Sequence, residues 1–366
     1  MAQARNLAYQ SNLLLQENRV AESKQLAVDA YNLNAKNNGP LQNADVYNAL
    51  MFNYNNKINN NNQSLFHQMP VKAVTAYSDN LILTGDEGGT LALMQVNANG
   101  TIALSKLQLK EDIRLLCTNK TSKHVLAATA TGNVFVLTVT DQNTLQLVQQ
   151  FKVVGTPKAA AVFKDNYYIA TTEGFMKWSY QSSQYVADGM WNRKDINHFT
   201  VSSSGKLWVA NGNKIEQFAA WGDWSNIQKT YTLNAAITSV AVDVSETYLA
   251  IGAYNGTVWV SNIKAGTAPY STALHLSSVD DVRFSELPSG KIQLATAGYD
   301  QTVKLLDVQS ILGNKTEDVI TLRGHTKWIY HITYLPQGNQ LISVSEDAKV
   351  IVWYTSSEAL YKALKN

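Results

Sequence analysis

The sequence predicts a mainly β protein, a seven-bladed β-propeller preceded by a small helical region, and three observations carry that reading. First, the pattern apolar-x-x-apolar-x-apolar begins at Val71, Ile113, Pro157, Ile196, Ile237, Val279 and Ile329, so successive starts lie 42, 44, 39, 41, 42 and 50 residues apart. A period near 42 residues is what four-stranded blades set in a ring produce, and an open sandwich has no reason to keep it. Second, each unit goes on to a second strand such as Leu81-Ile82-Leu83-Thr84 or Tyr248-Leu249-Ala250-Ile251, then a turn such as Glu87-Gly88-Gly89 or Asn255-Gly256. A third strand follows, as in Thr257-Val258-Trp259-Val260, and small residues at the turns supply the positive φ that hairpins need. Third, before Gln63 the apolar period is 3.6 rather than 2.

The helical part, residues 1–58, divides into three helices. Ala4, Leu7, Leu14 and Leu15 fall on one face of the first, and Leu26, Ala30 and Leu33 on one face of the second. Gly39-Pro40 is expected to end the second helix, and Asn43 to cap the third, with Asp45 in its first turn and Val46, Ala49 and Leu50 as its buried stripe. Three such short helices cannot bury their apolar faces alone and should pack on something. Residues 59–63 contain a four-asparagine run and read as a linker, and residues 64–357 hold the propeller. An open ring would expose sheet edges, so Ser64-Leu65-Phe66-His67 is expected to pair beside Val350-Ile351-Val352-Trp353 and close it. Residues 358–366 read as a short helix outside the last blade, with Ala359, Leu360 and Leu364 on one side.

Composition narrows the function classes. The formal net charge is +2 over 366 residues, too small for a general basic field, so nucleic acid is not an expected partner. Charged residues make up 16% of the chain, against about 25% in typical globular domains, leaving a surface rich in Asn, Gln, Ser and Thr. The single cysteine, Cys117, excludes an intrachain disulfide, and its apolar neighbours Leu115 and Leu116 predict a buried core thiol. No His or carboxylate group has metal-ligand spacing, and neither a phosphate-binding loop nor a nucleophile elbow occurs, so no cofactor or metal is expected. No apolar window reaches the roughly 18 residues of a membrane span and no secretory leader is evident, so a cytoplasmic location is favoured, with envelope association as the alternative.

The stretch from Arg323 to Trp353 carries more than periodicity. Arg-Gly-His precedes the strand Ile329–Tyr334, and a Pro-Gln-Gly turn leads to Leu341-Ile342-Ser343-Val344-Ser345. A turn at Glu346-Asp347-Ala348 then leads to Val350-Ile351-Val352-Trp353. This order resembles a WD-repeat. The resemblance implies that His325, Ser343, Asp347 and Trp353 form a structural hydrogen-bonded tetrad, rather than the Ser-His-Asp triad of a hydrolase that the first three residue types imitate. Pattern alone leaves Ser343 and Ser345 as alternatives. His275, Thr296 and Asp300 form a partial tetrad in the preceding unit, where Leu306 stands in the Trp position, and earlier units keep less. Partners are expected on the face carrying the turns between second and third strands, so Tyr254, Tyr299, Trp328, Glu346 and Glu87 are the candidate contacts. Trp221 and Trp224 read as packing anchors on an outer connection.

The helical run from Gln25 to Asn34, followed by Asp45-Val46-Tyr47-Asn48-Ala49-Leu50, is similar to the segment that precedes the propeller in Bacteroidetes-type STAND signalling ATPases. That likeness implies helices docked on the propeller as one unit; the nucleotide-binding domain of that family has no counterpart in this sequence. The function expected is a non-catalytic protein-interaction scaffold or sensing module of a bacterial multiprotein assembly. The alternatives are a propeller enzyme, a hydrolase or lyase with a central-channel site, and an envelope or surface binding protein.

Overall fold

In a computed structural model of the protein, every repeat unit closes into one antiparallel four-stranded sheet, giving seven blades. The structure describes residues 2–40, 43–57, 63–64, 66–97, 100–313 and 319–365. The inner strands are Val71–Ala76, Ile113–Asn119, Pro157–Phe163, Ile196–Val201, Ile237–Val242, Val279–Glu286 and Ile329–Tyr334, numbered here as blades 1 to 7. Each packs beside the inner strand of the next blade, and the seventh packs beside the first, so the sheets stand in a ring around a channel.

In all seven inner strands the pairing register slips between the first and third residues, as at Val71/Ala73 and Ile329/His331. A β-bulge inserts one unpaired residue, which is why apolar positions there lie three apart before alternation resumes. The wide 50-residue interval has an equally local cause. Blade 6 carries an extra helix, Val308–Leu312, between its third strand and its outer strand. Asp307 caps that helix, its carboxylate accepting from the N–H groups of Gln309 at 2.8 Å and Ser310 at 3.3 Å.

Blade 7 borrows its outer strand from before blade 1: Gln63 pairs with Ile351 and Ser64 with Val350. The closing strand is shorter than the predicted run Ser64–His67. Leu65 and the asparagines 59–62 lie outside the described residues, and His67 leaves the strand to turn inward. Hydrophobic clusters fill the spaces between neighbouring blades; Val71, Val74, Ile82 and Met94 of blade 1, for example, pack against Ile342, Val350 and Val352 of blade 7.

The N-terminal helices are α1 (Ala2–Gln16), α2 (Val20–Lys36) and α3 (Ala44–Lys57). The seam between α1 and α2 is made by small residues, the expected Ala4 and Ala30 among them, and the expected leucines flank it. Ala4, Ala8 and Ser11 are buried in α1, and Ser23, Ala27 and Ala30 in α2. Ser11 and Ser23 each donate a hydroxyl to the other's backbone carbonyl at 2.8 Å. Leu7, Leu14 and Leu15 are half-buried at its margin. The second helix ends at Lys36, ahead of Gly39-Pro40, and Asn38 takes the left-handed position at φ 50°. Asn43 caps α3, its Oδ1 accepting from Val46 N–H at 3.3 Å.

The faces these helices cannot bury alone are buried on the propeller. Val46, Ala49 and Leu50 share one core with Ile351 and Trp353 of blade 7 and with Leu360 and Leu364 of the C-terminal helix, Ser357–Lys365. Tyr47 Oη donates to the Tyr354 carbonyl at 2.7 Å, Tyr54 meets the Tyr354 ring edge-on at 5.1 Å, and Tyr31 stacks on Tyr361 at 4.4 Å. Trp221 and Trp224 sit in an aromatic cluster with Phe175, Trp191 and Phe218, where Trp191 and Trp224 stack at 4.1 Å.

Candidate functional site

The structure brings His325, Ser343, Asp347 and Trp353 together. His325 Nδ1 lies 3.1 Å from both carboxylate oxygens of Asp347, and its Nε2 lies 2.7 Å from Ser343 Oγ. The Trp353 indole N–H donates to the same Ser343 Oγ at 2.7 Å. With the Nδ1 proton directed at the carboxylate, Nε2 accepts from the Ser343 hydroxyl, so the bonds run one way from Trp353 to Asp347. Ser345 serves the turn instead, donating to the Lys327 carbonyl at 3.3 Å and accepting from Asp347 N–H at 3.1 Å. Burial raises the Asp347 carboxyl, but hydrogen bonds from His325, Thr326 N–H and Lys349 N–H outweigh it and bring the pKa down to about 2. Ser343 has no exposed surface and its oxygen is shared by His325 and Trp353, so it is not placed to attack a substrate.

Blade 6 carries the shorter version: His275 Nδ1 meets Asp300 at 2.9 Å and Nε2 meets Thr296 Oγ1 at 2.8 Å, with buried Leu306 where the indole would be. A third member, in blade 1, escaped the sequence reading. His67 Nδ1 lies 2.8 Å from Asp86 and Nε2 lies 2.8 Å from Thr84 Oγ1. The signal was available, since His67 precedes Val71 by four residues just as His275 precedes Val279 and His325 precedes Ile329. It was masked by assigning His67 to the closing strand, and by Asp86 following Thr84 by two residues where the other blades use four. Blade 2 substitutes a carboxylate for the imidazole: Glu111 accepts from Thr129 at 2.6 Å, Thr131 at 2.5 Å and Asn133 at 2.7 Å.

The candidate contact residues occupy one face. The N–H groups of Glu87, Tyr254, Tyr299 and Glu346 donate to the carbonyls of Pro70, Ala236, Ser278 and Trp328, the residues just before the inner strands. These positions are therefore equivalent around the ring. Tyr299 stacks on Trp328 at 4.5 Å, parallel within 3°, and meets Tyr330 edge-on at 6.5 Å. Tyr254 is 70% exposed, Trp328 45%, and Leu276, in the loop entering blade 6, 96%. The aromatic surface thus lies on blades 5 to 7, whereas Ala130 and Thr172 hold the equivalent positions on blades 2 and 3. Glu87 faces Lys72 at 3.6 Å, and Lys72 in turn lies 4.2 Å over the Tyr330 ring.

Beneath this face, each inner strand is a sheet edge whose outward N–H and C=O groups need partners. Blades 4 to 7 supply them from side chains. His198 Nδ1 accepts from Val240 N–H at 3.2 Å, Ser239 Oγ from Val282 N–H at 3.2 Å, and Asp281 from Ile332 N–H at 3.0 Å. Completing the series, His331 Nδ1 lies 3.0 Å from the Val74 carbonyl, and Arg283 Nη2 lies 2.6 Å from His331 Nε2. Burial lowers the pKa of both His331 and His198, the latter to about 4, so both imidazoles are neutral at pH 7. Cys117 is half-buried on the channel wall rather than enclosed in the core, and burial raises its thiol to about 12. Among the described residues no group of three or more His, Cys, Asp or Glu side chains is placed to hold a metal ion.

Comparison with known proteins bears on the last blade. Residues 316–354 match the family model described as "WD domain, G-beta repeat". Blade 7 therefore matches a WD40 repeat. Together with the seven-bladed ring, the match supports a WD40-type β-propeller. The chain is 30% identical over 105 residues to human WD repeat and SOCS box-containing protein 1, an alignment covering 29% of this chain and 24% of that protein. It is also 30% identical over 101 residues to nuclear distribution protein nudF 2 of Talaromyces marneffei, covering 27% and 21% of the two chains. A similar 92-residue match, 30% identical, links it to nuclear distribution protein PAC1 of Ajellomyces capsulatus, covering 25% and 19%. The matched segment therefore spans about a quarter or less of each relative. Such similarity fits a protein-interaction propeller. No helix among the described residues is long and apolar enough to cross a membrane.

Proposed function

We propose that this chain is a non-catalytic protein-interaction module that holds a protein partner on the face formed by blades 5 to 7. The observation that carries the reading is the parallel Tyr299–Trp328 pair, flanked by exposed Tyr254 and Leu276. Stacked aromatic rings are rigid before binding, so they offer large apolar area at low entropic cost. Glu87 and Glu346 belong to its polar surround. The role in an assembly is that of a scaffold or sensor, and the bacterial setting rests on the likeness of the helical segment; the relatives named above are eukaryotic.

The enzyme reading is supported by the meeting of Asp281, Arg283 and His331 in the channel. Against it, both His331 nitrogens and both Asp281 oxygens are already engaged with the ring's own groups. Tagged wild-type chain and the double variant Tyr254→Ala/Trp328→Ala, with folding checked by circular dichroism, test the proposal. A stoichiometric protein partner retained by wild type and lost by the variant supports it; equal recovery by both refutes this face.

A further inference from the structure

The seven bulged residues, Lys72, Arg114, Lys158, Asn197, Thr238, Asp280 and Tyr330, all line the central cavity, whose volume is about 880 Å³. Their chemistry is not spread evenly. Blades 1, 2 and 3 contribute the three cations, while the single carboxylate comes from blade 6. Over the whole cavity lining, five Lys or Arg side chains face two Asp carboxylates; Glu87 and Asp112, just outside it, pair with Lys72 and Arg114, and cations still outnumber carboxylates.

The two halves of the wall also differ in how much of their hydrogen-bonding capacity is used. On the far side Asn197 donates to the Ile237 carbonyl at 3.3 Å and Thr238 to the Val279 carbonyl, while the residues one step deeper, His198, Ser239, Asp281 and His331, engage the backbone of the next blade. On the cationic side those deeper positions are Ala73, Leu115 and Ala159, which have no polar side-chain atom to offer. The register is the same in every blade, so the N–H groups of Leu116 and Ala160, which line the cavity, meet no side-chain acceptor from the preceding blade.

We propose that the channel wall of blades 1 to 3 binds a small phosphorylated molecule, with Lys72, Arg114 and Lys158 as its cationic contacts. Arginine and lysine converging with backbone N–H groups is the donor set that phosphate oxygens require, and the cavity lies within the range of small-ligand sites. Lys158 rests on the carbonyls of Lys194 at 3.4 Å and Ile196 at 3.2 Å, an arrangement that holds its ammonium in place without neutralising it. Arg114 is oriented by Asp112, which accepts from its Nε at 3.0 Å and leaves the outer guanidinium edge for a ligand. Asp280, across the channel, sets the limit on where negative charge can sit.

Titration calorimetry of the full chain with pyrophosphate, at low and moderate salt, tests the site. The expected result is saturable one-site binding that weakens with salt. Arg114→Gln and Lys158→Gln should each raise Kd about tenfold, the loss of one charge-assisted contact, whereas Arg114→Lys should retain most of the affinity. Lys24→Gln, an exposed lysine of α2, is the control and should bind as wild type does. Absence of saturable binding overturns the proposal, as do equal affinities in wild type and both channel variants, or equal weakening by Lys24→Gln. If Lys158→Gln does not fold, Arg114→Gln decides, because its side chain is half-exposed. The partner face can fail its own test without affecting this one, since Tyr254 and Trp328 do not line the cavity.

Discussion

Asp347→Ala is the most direct probe of the clasp in blade 7. The Asp347 carboxylate is almost fully buried and accepts from three groups: His325 Nδ1 at 3.1 Å, Thr326 N–H at 2.9 Å and Lys349 N–H at 3.0 Å. Alanine orphans all three, but water can reach the exposed Thr326 and the half-buried Lys349, whereas the His325 side chain has no exposed surface. One unsatisfied buried donor costs about 1–3 kcal/mol, and two partly solvated ones add about 1 more, so a loss of about 2–4 kcal/mol is expected. The pKa leads to a similar size by a separate route. A carboxyl at about 2 in the folded chain, against an ordinary value of 3.8, corresponds to about 2 kcal/mol. The folded pKa is depressed, so this contribution is present above pH 3.8 and disappears as pH falls towards 2.

Urea denaturation followed by far-ultraviolet circular dichroism measures the total, and hydrogen exchange at Thr326 and Lys349 localises it. Asp347→Asn separates charge from shape, because it keeps one acceptor oxygen but turns an amide donor towards donors; it should fall between wild type and alanine. An Asp347→Ala chain within 0.5 kcal/mol of wild type at pH 7, or one that keeps the wild-type acid sensitivity between pH 4 and 2, would refute the reasoning.

Three further outcomes follow from the same geometry. Ser343→Ala should destabilise by about 2 kcal/mol, since it orphans the Trp353 indole and the His325 ring together, while Ser345→Ala should cost under about 1 kcal/mol; thermal melts of the pair decide the order. Tyr47→Phe removes only the hydroxyl that reaches Tyr354, so it should cost about 1 kcal/mol and raise proteolytic cleavage in α1–α3 before any cleavage in the blades. Burial and the neighbouring Asp281 raise the Asp280 carboxyl to about 7, so its protonated form favours the fold at low pH and that stability is lost as pH rises from about 4 through 7. Asp280→Asn should therefore match wild type near pH 4 and exceed it by about 1–3 kcal/mol at pH 8, the range allowing for partial solvent screening.

The ring was legible in the sequence because its pattern is set by burial. The first and fourth residues of each inner strand, such as Ile329 and Ile332, face packed neighbours and have to be apolar in every blade. The bulge that puts them three apart is a backbone event, invisible as such, yet it stamps the spacing on the residues. His325 and Asp347 were legible for a different reason, through the resemblance of the Arg323–Trp353 stretch to a WD-repeat; the structure supplies the physical ground, since a buried imidazole and a buried carboxylate are costly unless they find each other. What stayed hidden depends on contacts between blades. Nothing near His331 in the sequence announces Val74, 257 residues away, and Ala73, Leu115 and Ala159 matter for the acceptors they lack. In the α1–α2 seam Ala4 and Ala30 were legible but Ser11 and Ser23 were not, because small polar residues that let helix backbones approach closely carry little weight in a hydrophobicity pattern.

The distribution of polar clasps follows the mechanical problem of closing the ring. Among the described residues, two paired ones, Gln63 and Ser64, join the outer edge of blade 7 to the chain entering blade 1, and a pairing of two residues is weak by itself. The imidazole clasps sit on blades 6, 7 and 1, at and beside this seam. His331 crosses the seam to Val74, Lys72 crosses it to Tyr330, and Tyr47 braces it from outside through Tyr354. Blades 2 to 5 are held on both flanks by continuous chain and can lose the tetrad with less consequence, because covalent connection keeps their neighbours at high effective concentration. The clasps thus concentrate where the ring is closed without a covalent link, and on the inner wall of blades 1 and 3 the latching falls to the lysines, Lys72 on Tyr330 and Lys158 on Ile196.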